Sequence, residues 1–241
     1  MKKLRIGVIL NGANIPAWLV GMLNDVRNAG NAKLIVLAFV QENLLETQDL
    51  PNPLNIGGDT LQLGQMEPNA QAGAWVPTDI KKVFPDVPSL DGDPNKWNFL
   101  LKFADLDLFL NFSDGQPPDV LLRATRYGIW TLLTKDCALT ASLSTSQVNQ
   151  WLDGPATLFS VEIQREHRVQ YVQRTLISPT QESVFEKTDN LLQNATRLVP
   201  QALNQFCIHG ADTFFDGSDE KLQKSDTEPK QTLDLNWSQL V

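Results

Sequence analysis

Cysteine, histidine, positive charge and long apolar runs are all scarce in this chain, and each scarcity closes off a class of explanation. Two cysteines, Cys137 and Cys207, cannot build a disulfide framework, so a reducing cytoplasm is the expected compartment. Two histidines, His167 and His209, lie far apart and share no metal-ligand spacing, so no metal site is expected. Lys2, Lys3 and Arg5 precede an apolar run, but Asn11-Gly12-Ala13-Asn14 cuts that run short of a signal core or a membrane span. With 20 Lys and Arg against 28 Asp and Glu, the net charge of -8 argues against a nucleic acid partner, which needs a basic surface. Neither a G-x-G-x-x-G fingerprint nor a Walker loop occurs, so dinucleotide and NTP binding gain no support.

What is present is an alternation of apolar runs and helical periods. The organising stretch is Asp105 to Thr134. Leu108-Phe109-Leu110-Asn111-Phe112 is an apolar run, and Ser113-Asp114-Gly115-Gln116-Pro117-Pro118 is a dense turn signal that ends it. Val120, Leu121 and Ala124 then follow at helical spacing, Gly128 closes the helix, and Ile129-Trp130-Thr131-Leu132-Leu133 is a second apolar run. Strand, helix, strand in this order forces parallel pairing and places loops at the carboxyl ends of the strands, where open α/β sheets bind ligands. Asn111 to Gly115 together with Thr134 to Asp136 is therefore the first place to seek a site.

The same logic extends outward. Leu4 to Leu10 reads as a strand buried on both faces, a helix is predicted from about 16 to 29, and Lys33 to Val40 reads as the next strand. Residues 41–95 hold seven of the fourteen prolines and five of the fourteen glycines, and read as a long irregular insertion with a short helix near Asp79 to Val83. A helix over Asn95 to Ala104 should bury Trp97, Leu100, Leu101 and Ala104. Ser144 or Thr145 would cap a helix through Leu152, Ala156 to Gln164 and Val169 to Ser178 should form a hairpin, and a helix from Glu182 to Phe206 should kink at Pro200. The expectation is an α/β domain over residues 1–208, with a mainly parallel twisted sheet and helices on both faces. Residues 209–241 turn acidic and polar and are expected to be a disordered tail, although Trp237 and Leu240 could dock on a partner or on the domain itself.

Several local strings resemble the formyltransferase N-terminal domain family, as in glycinamide ribonucleotide, methionyl-tRNA and sugar formyltransferases. They are Arg5 to Leu10 as first strand, Gly12-Ala13-Asn14 as the turn, Asp107 opening the central strand, Arg126-Tyr127-Gly128-Ile129, Gly154 before the Thr157 strand, and the final long helix. Gly128-Ile129-Trp130 is similar to the divergent branch attached to glycan-building enzymes. The resemblance implies a Rossmann-like fold and, if the family activity survives, 10-formyltetrahydrofolate as formyl donor. Formyl-transferring members carry Asn-x-His, a Ser-Leu-Leu-Pro loop and a hairpin Asp, whose Asn and His stabilise an oxyanion and shuttle a proton. Here Trp130 and Leu132 stand at the Asn and His positions, the loop lacks its Pro, and the hairpin position falls near Glu166. The resemblance thus implies a domain that binds or assists, taking a phosphorylated sugar, a nucleotide or a glycan-assembly partner.

The alternative is a working transferase acting on an amino sugar or glycan precursor, its catalytic groups drawn from Ser113, Asp114, Asp136, Glu166 and His167. Ligand contacts are expected from Asn11, Gly12, Ala13 and Asn14, whose backbone could meet a phosphate at a helix N-terminus, and from Asn111 and Gly115. Asp105-Leu106-Asp107 has the spacing of a glycosyltransferase metal motif, but the tripeptide is common by chance and the start of a strand is the simpler reading. Cys137 could supply a thiolate, though a buried inert cysteine is the simpler reading.

Overall fold

The computed structural model describes residues 3–40, 76–134, 137–141, 156–166, 168–178 and 184–226, with side chains in the last segment described over 190–215. Its spine is β1 (Leu4–Leu10), whose Ile, Val and Leu side chains are buried on both faces. A short strand β2 (Asn14–Pro16) leads into α1 (Ala17–Asn28), and β3 (Ala32–Phe39) returns parallel to β1. Beyond residue 75 come β4 (Pro77–Asp79), α2 (Ile80–Val83) and β5 (Ser89–Leu90); a 3-10 turn over Pro94–Trp97 then opens α3 (Asn98–Ala104). The central unit is β6 (Leu108–Asn111), α4 (Asp119–Arg123) and β7 (Ile129–Thr134). β8 (Cys137–Ala138), β9 (Thr157–Arg165), β10 (Arg168–Ile177), α5 (Val184–Thr196) and α6 (Leu198–Asp226) complete the described chain.

Among the described residues the main sheet has eight strands in the order β10-β9-β7-β6-β1-β3-β5, with β8 paired to β7. The run β7-β6-β1-β3-β5 is parallel, and β8, β9 and β10 add antiparallel pairing at one side. The strand opened by Asp107 is central, as its apolar neighbours on both sides in sequence require. Side-chain alternation divides the core into two layers. Leu4, Ile6, Val8 and Leu10 of β1 face α1, α5 and α6, whereas Ile9, with Phe109 and Ile129 of the neighbouring strands, faces Trp97, Leu101 and Leu121 on the α3 and α4 side.

Four expectations need correction. Residues 76–95 are not wholly irregular: β5 pairs with β3 in the main sheet, and β4 pairs with β2 in a small second one. Short strands with scattered prolines show no periodicity to read. Leu100 points outward at 54% exposure while Trp97 and Leu101 are buried, because the 3-10 turn before α3 shifts the phase of the stripe. The long C-terminal helix breaks at Arg197 rather than Pro200, and Pro200 sits in the first turn of α6, where its missing N–H costs nothing. The tail does not begin at 209. α6 continues to Asp226, and at Gly210 (φ 75°, ψ 165°) the chain redirects so that Phe215 is buried. Composition had hidden this, because two adjacent phenylalanines are diluted by the acidic residues around them. The 41–75 part of the insertion, the Ser144–Leu152 helix and residues 227–241 lie outside the described residues.

The turn of α6 is held by an aromatic cluster. Tyr127 and Phe206 meet edge to face at 4.8 Å, Trp130 stacks on Phe214 at 5.7 Å, and Phe215 lies 5.7 Å from Phe206 with the Arg165 guanidinium 4.0 Å above its ring. Trp130 completes its polar demand through Nε1–H donating to the Tyr127 carbonyl at 3.2 Å. Gly128, just before β7, is buried with φ 81°, and a Cβ there would fall 2.1 Å from the Gln164 carbonyl oxygen.

Two stability measurements follow from this packing. Gly128→Ala combines a left-handed backbone costing about 1–2 kcal/mol with a clash against sheet backbone, so the thermal midpoint should fall by roughly 10 °C; a drop under about 3 °C would contradict the geometry. Phe215→Ala should cost about 3 kcal/mol, whereas substitution in a disordered tail would cost nothing measurable in urea unfolding.

Candidate functional site at the carboxyl edge of the sheet

The loops after β1 and β6 meet because both strands end together, Ile9 lying opposite Asn111. Four polar residues converge there. The Asn111 side-chain oxygen accepts from the Ser113 amide at 3.1 Å and from the Ser113 hydroxyl at 2.7 Å, an Asx turn that explains why Asn follows the apolar run. Asn11 reaches across from β1, its oxygen accepting from the Asp114 amide at 3.0 Å while its Nδ2–H donates to the Asp114 carboxylate. Asn111 and Ser113 are buried, and Asn11 and Asp114 are half-buried. Gly115 follows with φ 76° and turns the loop outward.

Two buried side-chain polar atoms toward the same end of the sheet lack a hydrogen-bond partner among the described residues, Trp18 Nε1 and Thr134 Oγ1. Thr134 ends β7, and Trp18 stands in the first turn of α1 with its ring 6.5 Å from Phe112. Both therefore belong to the carboxyl edge. An unpaired buried polar atom costs about 1–3 kcal/mol, a cost that a water would remove. The Asn111 Nδ2 group likewise donates to no described residue. The Trp18 and Thr134 atoms are both sealed from solvent, so in this conformation neither is open to a ligand. Composition and motif spacing gave no sign of Trp18 at this edge, since an aromatic on a helix face reads as plain core.

The Gly12-Ala13-Asn14 turn does not run directly into a helix. β2 intervenes and pairs with β4, the Ala13 carbonyl accepts from the Ile80 amide at 2.9 Å, and the first amide of α1, Ala17, donates to the Val76 carbonyl at 3.0 Å. The backbone donors that a phosphate would use at such a helix start are in part already occupied. Asn14 is exposed and Gly12 faces open space.

Of the catalytic candidates among the described residues, Glu166 does not join Ser113 and Asp114. Ser113 and Asp114 are at the carboxyl edge, whereas Glu166 is exposed at the β9–β10 turn, beside Gly128 at the amino edge of β7. β7, at six residues, separates the two ends by about 20 Å. Asp136 and His167 lie outside the described residues. Asp105 and Asp107 serve structure: both face Arg126, Asp107 also accepts from the Arg5 amide at 2.8 Å, and no cluster of metal-ligating side chains occurs among the described residues.

Cys137 is exposed on β8, correcting its reading as a buried residue, because that strand pairs with the end of β7 over only two residues. Cys207 on α6 is half-buried, and burial first, then the negative charge of Asp107, push its thiol above the ordinary range. At pH 8 a thiol-specific reagent should therefore label Cys137 first and Cys207 much more slowly; peptide mapping that finds Cys207 labelled first would contradict this.

Comparison with solved structures places this geometry in a known fold. Phosphoribosylglycinamide formyltransferase from Bacillus halodurans superposes with a TM-score of 0.52 at 13% identity, covering 88% of this chain and 99% of that one. Glycinamide ribonucleotide transformylase 1 from Geobacillus kaustophilus gives 0.53 at 12% identity, covering 85% and 99%. The Coxiella burnetii phosphoribosylglycinamide formyltransferase, in complex with CHES, gives 0.51 at 10% identity, covering 85% and 87%. No family model matches the chain, and no curated protein matches it. At identities this low the likeness speaks for architecture, and the chain has a formyltransferase-like α/β fold.

Proposed function

We propose that this is a non-formylating domain of formyltransferase-like fold whose carboxyl-edge site binds a small phosphorylated sugar or nucleotide. The observation that carries the reading is the burial of Trp130 and Leu132, at 1% and 0% exposure. These stand where formyl-transferring relatives carry Asn and His. Trp130 is committed to Phe206 and Phe214, and Leu132 to the core beneath α1, α5 and α6. Neither side chain can donate to an oxyanion or move a proton at a cleft.

Binding without that chemistry remains supported by the edge itself. Asn11, Asn111, Ser113 and Asp114 converge at the place where open α/β sheets take ligands. The structural neighbours are named for phosphoribosylglycinamide, a phosphorylated sugar amide, which supports that ligand class. Asp114 beside Asn11 disfavours an anion close to the knot, so the sugar hydroxyls belong there and the phosphate farther out. A glycan-building context rests on the Gly128-Ile129-Trp130 string.

Losing one oxyanion donor costs about 10²- to 10³-fold in rate and losing the acid–base group a further 10²- to 10⁴-fold. Purified protein should therefore give no detectable formyl transfer from 10-formyltetrahydrofolate to amino sugars or amino-ribonucleotides; turnover above the uncatalysed rate would overturn the reading. Titration calorimetry with ribose 5-phosphate and nucleotide sugars should show binding that Asn111→Asp weakens at least tenfold, since this change keeps the acceptor for Ser113 and removes the free amide. Silence across the panel would remove the ligand assignment.

A further inference from the structure

The amino edge of the sheet, opposite the polar knot, carries a trough that the site above does not use. Its larger part is a cleft of about 630 Å³ lined by Phe99 and Lys102 of α3 and by Val120 and Arg123 of α4. The smaller part, of about 410 Å³, shares Arg123 and Arg126 and runs on to Arg165 and Glu166 at the β9–β10 turn. Phe103 stands one helical turn beyond Phe99 with its ring 4.8 Å away, so it extends the Phe99 wall outside the cleft. At 69% and 72% exposure these are the two exposed phenylalanines among the described residues. An aromatic pair left in water at the lip of a cleft marks an interaction surface.

The charge of the trough is opposite to that of the chain. Four cations, Lys102, Arg123, Arg126 and Arg165, line it against two acids, Asp105 and Glu166, in a chain of net charge -8. Arg126 is committed to Asp105 and Asp107, and Arg165 to the Phe215 ring and the Gln170 side-chain oxygen. Lys102 and Arg123 make no ion pair among the described residues and are the cations left to meet an external charge.

We propose that this trough docks an acidic, amphipathic peptide segment of a partner protein, its apolar anchors on Phe99 and Phe103 and its carboxylates on Lys102 and Arg123. Charge complementarity favours this occupant over the others. A second copy meeting face to face would set Lys102 and Arg123 against their own kind, since a twofold contact uses the same patch on both subunits. A nucleic acid would bring dense phosphate charge against a body of net charge -8. A free small anion would leave the aromatic pair in water. Glu166 closes the far end of the trough to carboxylates, so the anchor sits at α3 and the acids reach Arg123 but stop short of the β9–β10 turn.

The test selects peptides from a random phage-displayed library on the full chain and measures the enriched peptides by fluorescence anisotropy. Enriched sequences should combine Asp or Glu with Trp, Phe or Leu, and should protect residues 98–104 and 119–126 from hydrogen–deuterium exchange. Arg123→Glu should weaken binding about tenfold or more, as should Phe99→Ser combined with Phe103→Ser, whereas Arg123→Lys should stay within about threefold of the parent. These side chains are exposed, so the thermal midpoint of each variant should stay within about 2 °C of the parent. An empty selection, enriched peptides without acids, binding unmoved by these variants, or protection confined to the carboxyl edge would overturn the proposal. So would a single-stranded oligonucleotide that binds the trough more tightly than the peptides, or a dimer of the chain that Phe103→Ser dissolves.

Discussion

Asp107 is the point on which the described body depends. Its carboxylate is buried at the start of the central strand, where an unpaired charge would be prohibitively costly, and the surroundings are arranged to hold it. Its oxygens accept from the Arg5 amide and face Arg126, and its backbone bonds both to Arg5 on β1 and to Tyr127 ahead of β7. Arg5 in turn donates from its guanidinium to the Ala104 and Asp105 carbonyls, closing the end of α3. One acid thus ties together the beginnings of three neighbouring strands and the helix that precedes them.

That tie has consequences at both ends of the sheet. At the carboxyl edge, the register it sets between β1 and β6 brings Asn11 opposite the loop of Ser113 and Asp114, so the polar knot is a product of strand register. At the amino edge, it draws Arg126 onto Asp105 and Asp107, while Arg123 and Lys102 on the neighbouring helices make no ion pair among the described residues. It also bears on Cys207, whose thiol feels the same negative charge.

The aromatic cluster is the second constraint and the one that fixes what β7 can do. Trp130 is the second residue of β7, stacked on Phe214 and edge-on to Phe206, phenylalanines that come from either side of Gly210 in α6. A side chain used in this way welds the C-terminal part of the chain to the sheet. Polar chemistry at that position would leave both the weld and the buried face of α6 unsatisfied.

Sequence by itself determined the alternation of elements, because apolar runs bounded by Gly, Pro and Asn signals can fold only as strands and helices of those lengths. It determined the central place of the strand after Asp107, and it located Asn111 to Gly115 at a ligand-binding edge. Tertiary structure alone decided the rest. Whether Glu166 could join Ser113 and Asp114 depended on which end of β7 the hairpin turn occupies, a matter of antiparallel register between distant segments. That Trp18 and Thr134 each leave a polar atom without a partner among the described residues follows from packing across elements, which local pattern does not encode. Phe215 belongs to the core only because Gly210 turns the chain back onto Arg165 and Phe206, a long-range contact that an acidic local composition conceals.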